Sequence, residues 1–440
     1  MSESTNSPHR EQTPQGAPIA RPSGLRAFFR ALGQGFAFLR VAVANTIIAI
    51  VVLLVIVAIV SSPGAVTIKN DSALLLRPVG AIVEERSHVD SLASLVGGRT
   101  VAETRLGDIV DALTAAKDDD RITTLVIDPT QLAYASAAQL AAVGVAIDEF
   151  KTSGKPVVAF GNYFTQGQYY LASFADEVYM HPMGELLLTG FGIYQGFYQG
   201  LLERLKVNVH VFRVGTYKAA VEPFQRGNMS PEAKEANQAL VDQLWDDFAG
   251  RIAKNRRLGK DQVTAYATRF EELLEQASGD IARIALEHGL VDELLTTEEL
   301  EQRIEQKVKE DDGIYRHVGV PQYLAAVRRP KITSSRKQVA VIVASGNILM
   351  GDQPRGTIGS ASLIPLIRQA REDEAIRALV LRIDSPGGSV FASELIRQEL
   401  ELLQTTGKPV VISMAGAAAS GGYWICLLYT SPSPRDSIAA

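Results

Sequence analysis

One cysteine in 440 residues, Cys426, leaves no intrachain disulfide framework and no cysteine-rich metal site. Histidine is also scarce. Six are scattered at positions 9, 88, 181, 210, 288 and 317, and no H-E-x-x-H pair brings two onto one helix face. Neither a metal nor any other cofactor is therefore expected. An excess of positive charge is missing as well: the net charge is -5, and Arg256-Arg257 and Arg328-Arg329 are isolated pairs. Nucleic acid is excluded as an expected partner on that ground. What remains, 46% hydrophobic and 21% charged residues, describes a folded chain long enough for two sizeable cores.

Residues 1–40 are rich in Ser, Pro, Gln and Thr at first and then carry Arg21, Arg26, Arg30 and Arg40. They read as a disordered, then basic, N-terminus. Val41 to Val60 follows, 20 residues without a charge. That is about the length of a membrane-crossing helix, and too long for the core of a cleaved signal peptide. Ser61-Ser-Pro-Gly64 is also a poor cleavage site. With arginines before the run and Lys69 the first basic residue after it, the expected orientation puts the N-terminus in the cytoplasm and the rest outside. In a bacterium this makes a single-pass anchor in the inner membrane with the bulk of the chain in the periplasm.

Beyond the anchor the chain repeats itself. Gly154-Lys-Pro-Val-Val158 recurs as Gly407-Lys-Pro-Val-Val411, and Ile122–Asp128 has its partner in Ile376–Asp384. Leu75–Val83 corresponds to Val341–Leu349. Each β-branched run is followed by a helix; Ser136-Ala-Ala-Gln139 is a capping box, with Leu140, Val143, Ile147 and Phe150 on one face after it. In the second copy Ile396, Leu400 and Leu403 make the equivalent face. This alternation predicts an α/β fold with largely parallel sheets. The expected organisation is a first repeat over 73–310, a connection over 311–338 and a second repeat over 339–424. Val207–Val214 alternates like a strand, and Ser230-Pro231 should open a long helix.

Two stretches carry chemistry. Ala415 to Gly421 contains no large side chain, so Ser420 is the unshielded hydroxyl of a small-residue turn resembling the G-x-S-x-G elbow. Asp384-Ser-Pro-Gly387-Gly388-Ser389 stands between a strand and a helix, where free N–H groups suit the oxyanion of an acyl intermediate. Either stretch alone also fits tight packing. The first repeat lacks both: Asp128-Pro-Thr-Gln replaces the glycine pair, and counting 253 back from Ser420 reaches Gly167. A duplicated scaffold that keeps these residues in one copy points to a serine site. Its base is open between Lys218, in Gly215-Thr-Tyr-Lys-Ala-Ala-Val221, and the histidines His181 and His210.

Asp384-Ser-Pro-Gly-Gly-Ser389, Ala417-Ala-Ala-Ser-Gly-Gly-Tyr-Trp424 and Arg213-Val-Gly-Thr-Tyr-Lys-Ala-Ala-Val-Glu-Pro-Phe224 together resemble the bacterial signal peptide peptidase A family in its long, two-repeat form. The resemblance implies a Clp-protease/crotonase-like fold and a serine endopeptidase with a Ser/Lys dyad. Ser420 then matches the nucleophile and Lys218 the base, with Gly387, Gly388 and Gly421 in the oxyanion region. It also implies signal peptides as substrates and homo-oligomers at the membrane. The other readings are a crotonase-like acyl-thioester enzyme and a non-catalytic oligomeric scaffold. After Trp424 the repeat stops: residues 425–440 do not continue like Leu171–Tyr179. The expectation is a truncated or frameshifted tail that docks poorly, and a chain that is inactive by itself.

Overall fold

The computed structural model describes residues 24–60, 67–87, 102–311, 314–328 and 337–427. The chain divides into two units, Met1–Ala65 and Val66–Ala440. In the first, Gly24–Val60 is a helix of 37 residues. Among the described residues no helix is long and apolar enough to cross a membrane, and several side chains near the end of this one lie outside them. Residues 1–23, expected to be disordered, also lie outside the described residues.

The second unit is built on two parallel sheets. Six strands run in the order His317–Gly319, Ser72–Leu76, Ile122–Ile127, Val157–Gly161, Glu177–Met180 and Glu293–Leu294. Every pairing between them is parallel. The second sheet has three parallel strands, Gln338–Ser345, Ile376–Ser385 and Val410–Ala418, with the longest in the middle. Its order repeats that of Ser72–Leu76, Ile122–Ile127 and Val157–Gly161, so the sequence duplication is a duplication of topology. Each repeat adds a small parallel sheet at the carboxyl ends of these strands. Gly80–Val83 lies between Glu103–Arg105 and Leu132–Tyr134, and Asn347–Leu349 pairs with Thr357–Gly359.

The recurring Gly-Lys-Pro-Val-Val has a physical reason. Gly154 and Gly407 turn at φ 77° and 82°, the left-handed region that a side chain resists. Each glycine lets the next lysine reach back across the preceding helix–strand turn. Lys155 Nζ donates to the carbonyls of Ala116 and Asp119 at 2.8 Å, and Lys408 Nζ to those of Ala370, Arg371 and Asp373 at 2.7–2.9 Å. These carbonyls lie at or just beyond the C-terminal ends of the helices Leu106–Lys117 and Ser360–Glu372, where positive charge is favourable. The predicted capping box at Ser136 is formed, and Ser389 caps the matching helix Val390–Thr405 by accepting from the Ala392 N–H.

Both repeats bury one sheet face under helices. Leu74, Leu125, Ile127 and Val157 meet Ile109, Leu113, Val143, Ile147 and Phe150 in the first. Leu379, Leu381 and Ile383 meet Leu363, Ile367, Ile396, Leu400 and Leu403 in the second. The opposite faces differ. Ala73, Leu75, Val126 and Val158 are covered by Leu300 and Ile304 of the helix Thr297–Glu305 and by Val308 and Tyr315. At the equivalent places of the second sheet Val339, Val341 and Val411 are 58%, 65% and 53% exposed. A contiguous apolar sheet face of this kind favours association.

Three expectations need correction. Val207–Val214 forms no strand and pairs with no sheet among the described residues; Phe212 is 98% exposed there. Alternation marks a side-chain period and does not supply a hydrogen-bonding partner. The expected connection over 311–338 is largely structured: His317–Gly319 is the edge strand of the first sheet, and the helix Val320–Val327 packs Tyr323 and Leu324 into the first core. Of the supposed tail, Ile425 and Cys426 belong to the helix Gly421–Cys426 and are buried in the second core. Burial pushes the Cys426 thiol up to about 11, so it serves as a small apolar residue. Residues 428–440 lie outside the described residues.

Within this unit the repeats are clamped together by charge. Arg382, from the middle strand of the second sheet, makes a two-pronged pair with Glu84 of the first repeat at 2.8 and 3.1 Å. The same guanidinium donates to Ser413 Oγ and the Met414 carbonyl, which ties the strand approaching Ser420 into the clamp.

Candidate active site

The strand Val410–Ala418 continues beyond the β-branched residues that define it and delivers Ser420 to the N-cap of the helix Gly421–Cys426. Ser420 is exposed, at φ 50° and ψ -121°. A residue with a Cβ rarely adopts this conformation, and holding it costs about 1–3 kcal/mol. A strained strand-to-helix turn of this kind is the form of a nucleophile elbow. Replacement of Ser420 by Gly should therefore stabilise the fold by about 1 kcal/mol while removing the hydroxyl. Chemical denaturation of Ser420→Gly beside Ser420→Ala checks this; a glycine variant no more stable than the alanine one would mean the turn carries no strain.

The turn is held from behind by residues whose roles the motif alone did not disclose. The buried Ser385 accepts the Ala419 N–H on its carbonyl at 3.0 Å. Its hydroxyl accepts the Gly387 N–H at 3.1 Å and donates to the Gly346 carbonyl at 2.7 Å. Asp384 accepts the Ala417 N–H at 2.9 Å, three residues before Ser420. Burial pushes the Asp384 carboxyl above its usual range, and the nearby Glu84 charge adds to the shift. The counterpart in the first repeat, Asp128, instead pairs with Arg77 and accepts the Thr130 N–H within its own turn.

The three glycines divide their work. Gly387 lies at φ 107°, and a Cβ there would come within 2.6 Å of the Ser420 Cβ and 2.8 Å of the Gly421 nitrogen. Its contribution is close approach, since its own N–H is engaged by Ser385. The Gly388 and Gly421 N–H groups find no hydrogen-bond partner among the described residues, while the flanking Gly387 carbonyl and Ser389 N–H both bond to Ile348. Two unengaged donors beside the serine are what a developing oxyanion requires.

Ser420, Gly421, Trp424 and Val390 line a cavity of ≈ 930 Å³ together with Lys218 and Phe212–Val214. The structure thus brings Ser420 and Lys218, from different repeats, to the wall of one cavity. His181 and His210 are not among its lining residues; His181 instead accepts the Met183 N–H on its own loop. Lys218 is exposed, so these residues do not bury it. Its segment is fixed at one end by Glu222, a buried carboxylate that accepts the Ser230 N–H at 3.0 Å and faces Arg213 at 3.8 Å. Hydrogen bonding from Ser230 holds the Glu222 carboxyl below the usual range. Arg213 in turn donates to the Lys218 carbonyl at 3.0 Å.

Trp424, on the cavity wall, donates its indole N–H to Glu394 at 2.8 Å. Arg397, Trp424 and Gln398 together lower the Glu394 carboxyl to about 2. A carboxylate depressed on folding supports the fold above its ordinary value of about 4.3 and loses that support as pH falls through the depressed one. The Trp424 contact should hold down to that acid range and then break. Tryptophan fluorescence followed in acid should show a transition near the depressed value, absent in Glu394→Gln; a transition at the ordinary carboxylate value would show that the bond is not made.

The chain is similar to known proteases. Residues 149–311 match the family model described as Peptidase family S49. The chain is 41% identical over 361 residues to Protease 4 of Salmonella typhi, covering 80% of this chain and 58% of that protein. It is 36% identical over 397 residues to Protease 4 of Haemophilus influenzae, covering 88% and 65%. A chloroplastic serine protease SPPA of Arabidopsis thaliana is 29% identical over 289 residues, covering 63% and 41%. The chain therefore spans about three fifths of the length of the Protease 4 relatives. Two sequence expectations, the resemblance to the signal peptide peptidase A family and the serine-peptidase class, are supported by these matches.

Proposed function

We propose that this chain is a membrane-anchored serine endopeptidase that cleaves apolar peptides, such as spent signal peptides, with Ser420 as nucleophile and Lys218 as general base. The observation that carries the reading is the meeting of Ser420, on a strained turn, and Lys218 at one cavity. The hydroxyl attacks the scissile carbonyl and passes its proton to neutral Lys218, which returns it to the leaving amine. Negative charge on the carbonyl oxygen is received by the Gly388 and Gly421 N–H groups. A lysine must be neutral for this work, and bound substrate or a second subunit burying Lys218 would favour that form. The exposed Phe212 and Val214 beside it suit such a cover. The fold fits the Clp-protease/crotonase type, with a small parallel sheet at the carboxyl ends of each main sheet.

A peptidase is separated from a crotonase-like acyl-thioester enzyme by offering an unstructured apolar peptide and an acyl-CoA in parallel. Peptide fragments without thioester turnover are expected; thioester turnover with an intact peptide would contradict the proposal. For localisation, the uncharged run Val41–Val60 supports a single inner-membrane anchor with the site on the periplasmic side. Deletion of residues 1–62 should move the protein from the membrane fraction to the soluble one. Continued resistance of the deleted form to alkaline extraction would point to a second span.

A further inference from the structure

The first repeat contains a cavity of its own, ≈ 550 Å³, with Ala137, Gln166, Gly167, Tyr170, Phe248 and Arg251 in its wall. The elements that wall it correspond to those of the Ser420 cavity. Ala137 is the first residue of the helix Ala137–Lys151, as Val390 is of Val390–Thr405. The short helices Gln166–Ala172 and Gly421–Cys426 end 254 positions apart. In each repeat the first residues of this short helix line the cavity, Gln166 and Gly167 in the first and Gly421 in the second, while the N-cap that is Ser420 in the second repeat is Thr165 in the first. The duplication has therefore preserved the cavity along with the scaffold.

The chemistry of the copy is different. Gln166 offers a carboxamide, which is no nucleophile, and both of its ends are engaged: Nε2 donates to the Gly190 carbonyl at 3.1 Å and Oε1 accepts the Gly190 N–H at 2.8 Å. In place of the segment that brings Lys218, the long helix Pro231–Arg256 closes the first cavity with Phe248 and Arg251. Tyr170 stacks on Phe248 with ring centroids 5.4 Å apart, giving a rigid apolar wall. Arg251, 3.5 Å from Asp148, and Asp247 add charge to the lining. An apolar cavity of this size with a few polar groups has the physical character of a ligand site.

We propose that this cavity is a second, non-cleaving peptide site, which takes apolar side chains of a polypeptide while Arg251 and Asp247 meet its polar backbone. It rests on the reading of the Ser420 cavity as a peptide site, because the element-for-element correspondence of the two walls supplies the class of occupant. A long apolar peptide would then be held at one repeat and cut at the other.

The test uses the whole chain and a short leucine-rich peptide carrying a photoactivatable leucine, with cross-links mapped by mass spectrometry. A Cβ added at Gly167 would meet only the Leu140 Cδ1, at 3.7 Å, so Gly167→Leu fills the cavity without displacing backbone. Ala141→Leu, from the neighbouring helix, fills it independently should the first variant fold poorly. The proposal expects cross-links within 137–141, 166–170 or 244–251, reduced about tenfold or more in either variant. Cross-links near Val390 and Trp424 should persist in both. Cross-links confined to the second repeat, no change on filling, or displacement by a fatty acid but not by unlabelled peptide would each overturn it. Cross-links in the first repeat with none near Trp424 would support the second site and sink the Ser420 cavity as a peptide site instead.

Discussion

In a chain extended to the length of its Protease 4 relatives, Ser420→Ala is expected to abolish peptide cleavage, and Lys218→Met to reduce it nearly as far, with both proteins unfolding at close to the wild-type midpoint. Loss of a nucleophile that acts together with its base costs up to about 10⁶ in kcat in comparable hydrolases, and proton transfer by a positioned base is worth about 10²–10⁴. The two losses should not add, since each residue works through the other. Neither side chain is buried, so truncation creates no core cavity and stability should change little. Substantial activity in Lys218→Met combined with loss in His181→Ala or His210→Ala would replace the dyad by a histidine-based site. That outcome would require a histidine to reach a cavity whose described wall contains neither.

Gly387→Ala should damage both stability and catalysis. The added Cβ would stand 2.6 Å from the Ser420 Cβ, 2.8 Å from the Gly421 nitrogen and 2.9 Å from the Ala419 carbonyl oxygen. Backbone atoms cannot give way as a flexible side chain does, and φ of 107° is itself unfavourable for alanine. Strain and overpacking together suggest a loss of about 2–5 kcal/mol. Relief comes by pushing the Ser420 turn away, which also misaligns the hydroxyl with the Gly388 and Gly421 donors. Urea denaturation and peptide hydrolysis measured on the same preparation check both halves. An alanine variant with wild-type stability and turnover would mean that the glycine loop and the serine turn do not approach as described. Gly407→Ala is the control: it also has positive φ, but its added Cβ meets nothing within 4 Å, so it should cost about 1 kcal/mol and leave turnover intact.

Much of the scaffold could be read from sequence because the same residues occur twice. The β-branched runs ending in Asp128 and Asp384, and the paired Gly-Lys-Pro-Val-Val segments, mark strands that carry their own hydrophobic signal. The caps at Ser136 and Ser230 are local, three-residue devices and were legible for that reason. Val207–Val214 misled because alternation is a local signal, whereas a strand requires an edge to pair with. Residues 314–327 were hidden by the charged and polar residues on either side, Asp311-Asp-Gly313 and Arg328 to Lys337, although the strand His317–Gly319 closes the first sheet from far along the chain.

The site divides along the same line. Ser420, Lys218 and the glycines stand out by residue type. The residues that hold them do not, because their partners are remote: Glu84 and Arg382 are 298 positions apart, and Ser385 reaches Gly346 across 39. Asp384 has a counterpart in Asp128, yet only folding reveals that one serves its own turn and the other the approach to Ser420. A sequence signal existed for Glu222, inside the Val-Glu-Pro-Phe segment after Lys218. Its bond to the Ser230 N–H, at the cap of the next helix, could not be read there.

Covalent labelling with a serine-directed fluorophosphonate addresses the central claim most directly, because it reports the nucleophile without needing the natural substrate. The intact chain, its Lys218→Met variant and its Ser420→Ala variant would be treated in parallel and the adducts mapped by mass spectrometry. The account predicts one adduct, on Ser420, formed far more slowly when Lys218 is methionine and absent in Ser420→Ala. No adduct, an adduct on another serine, or equal labelling rates with and without Lys218 would contradict it.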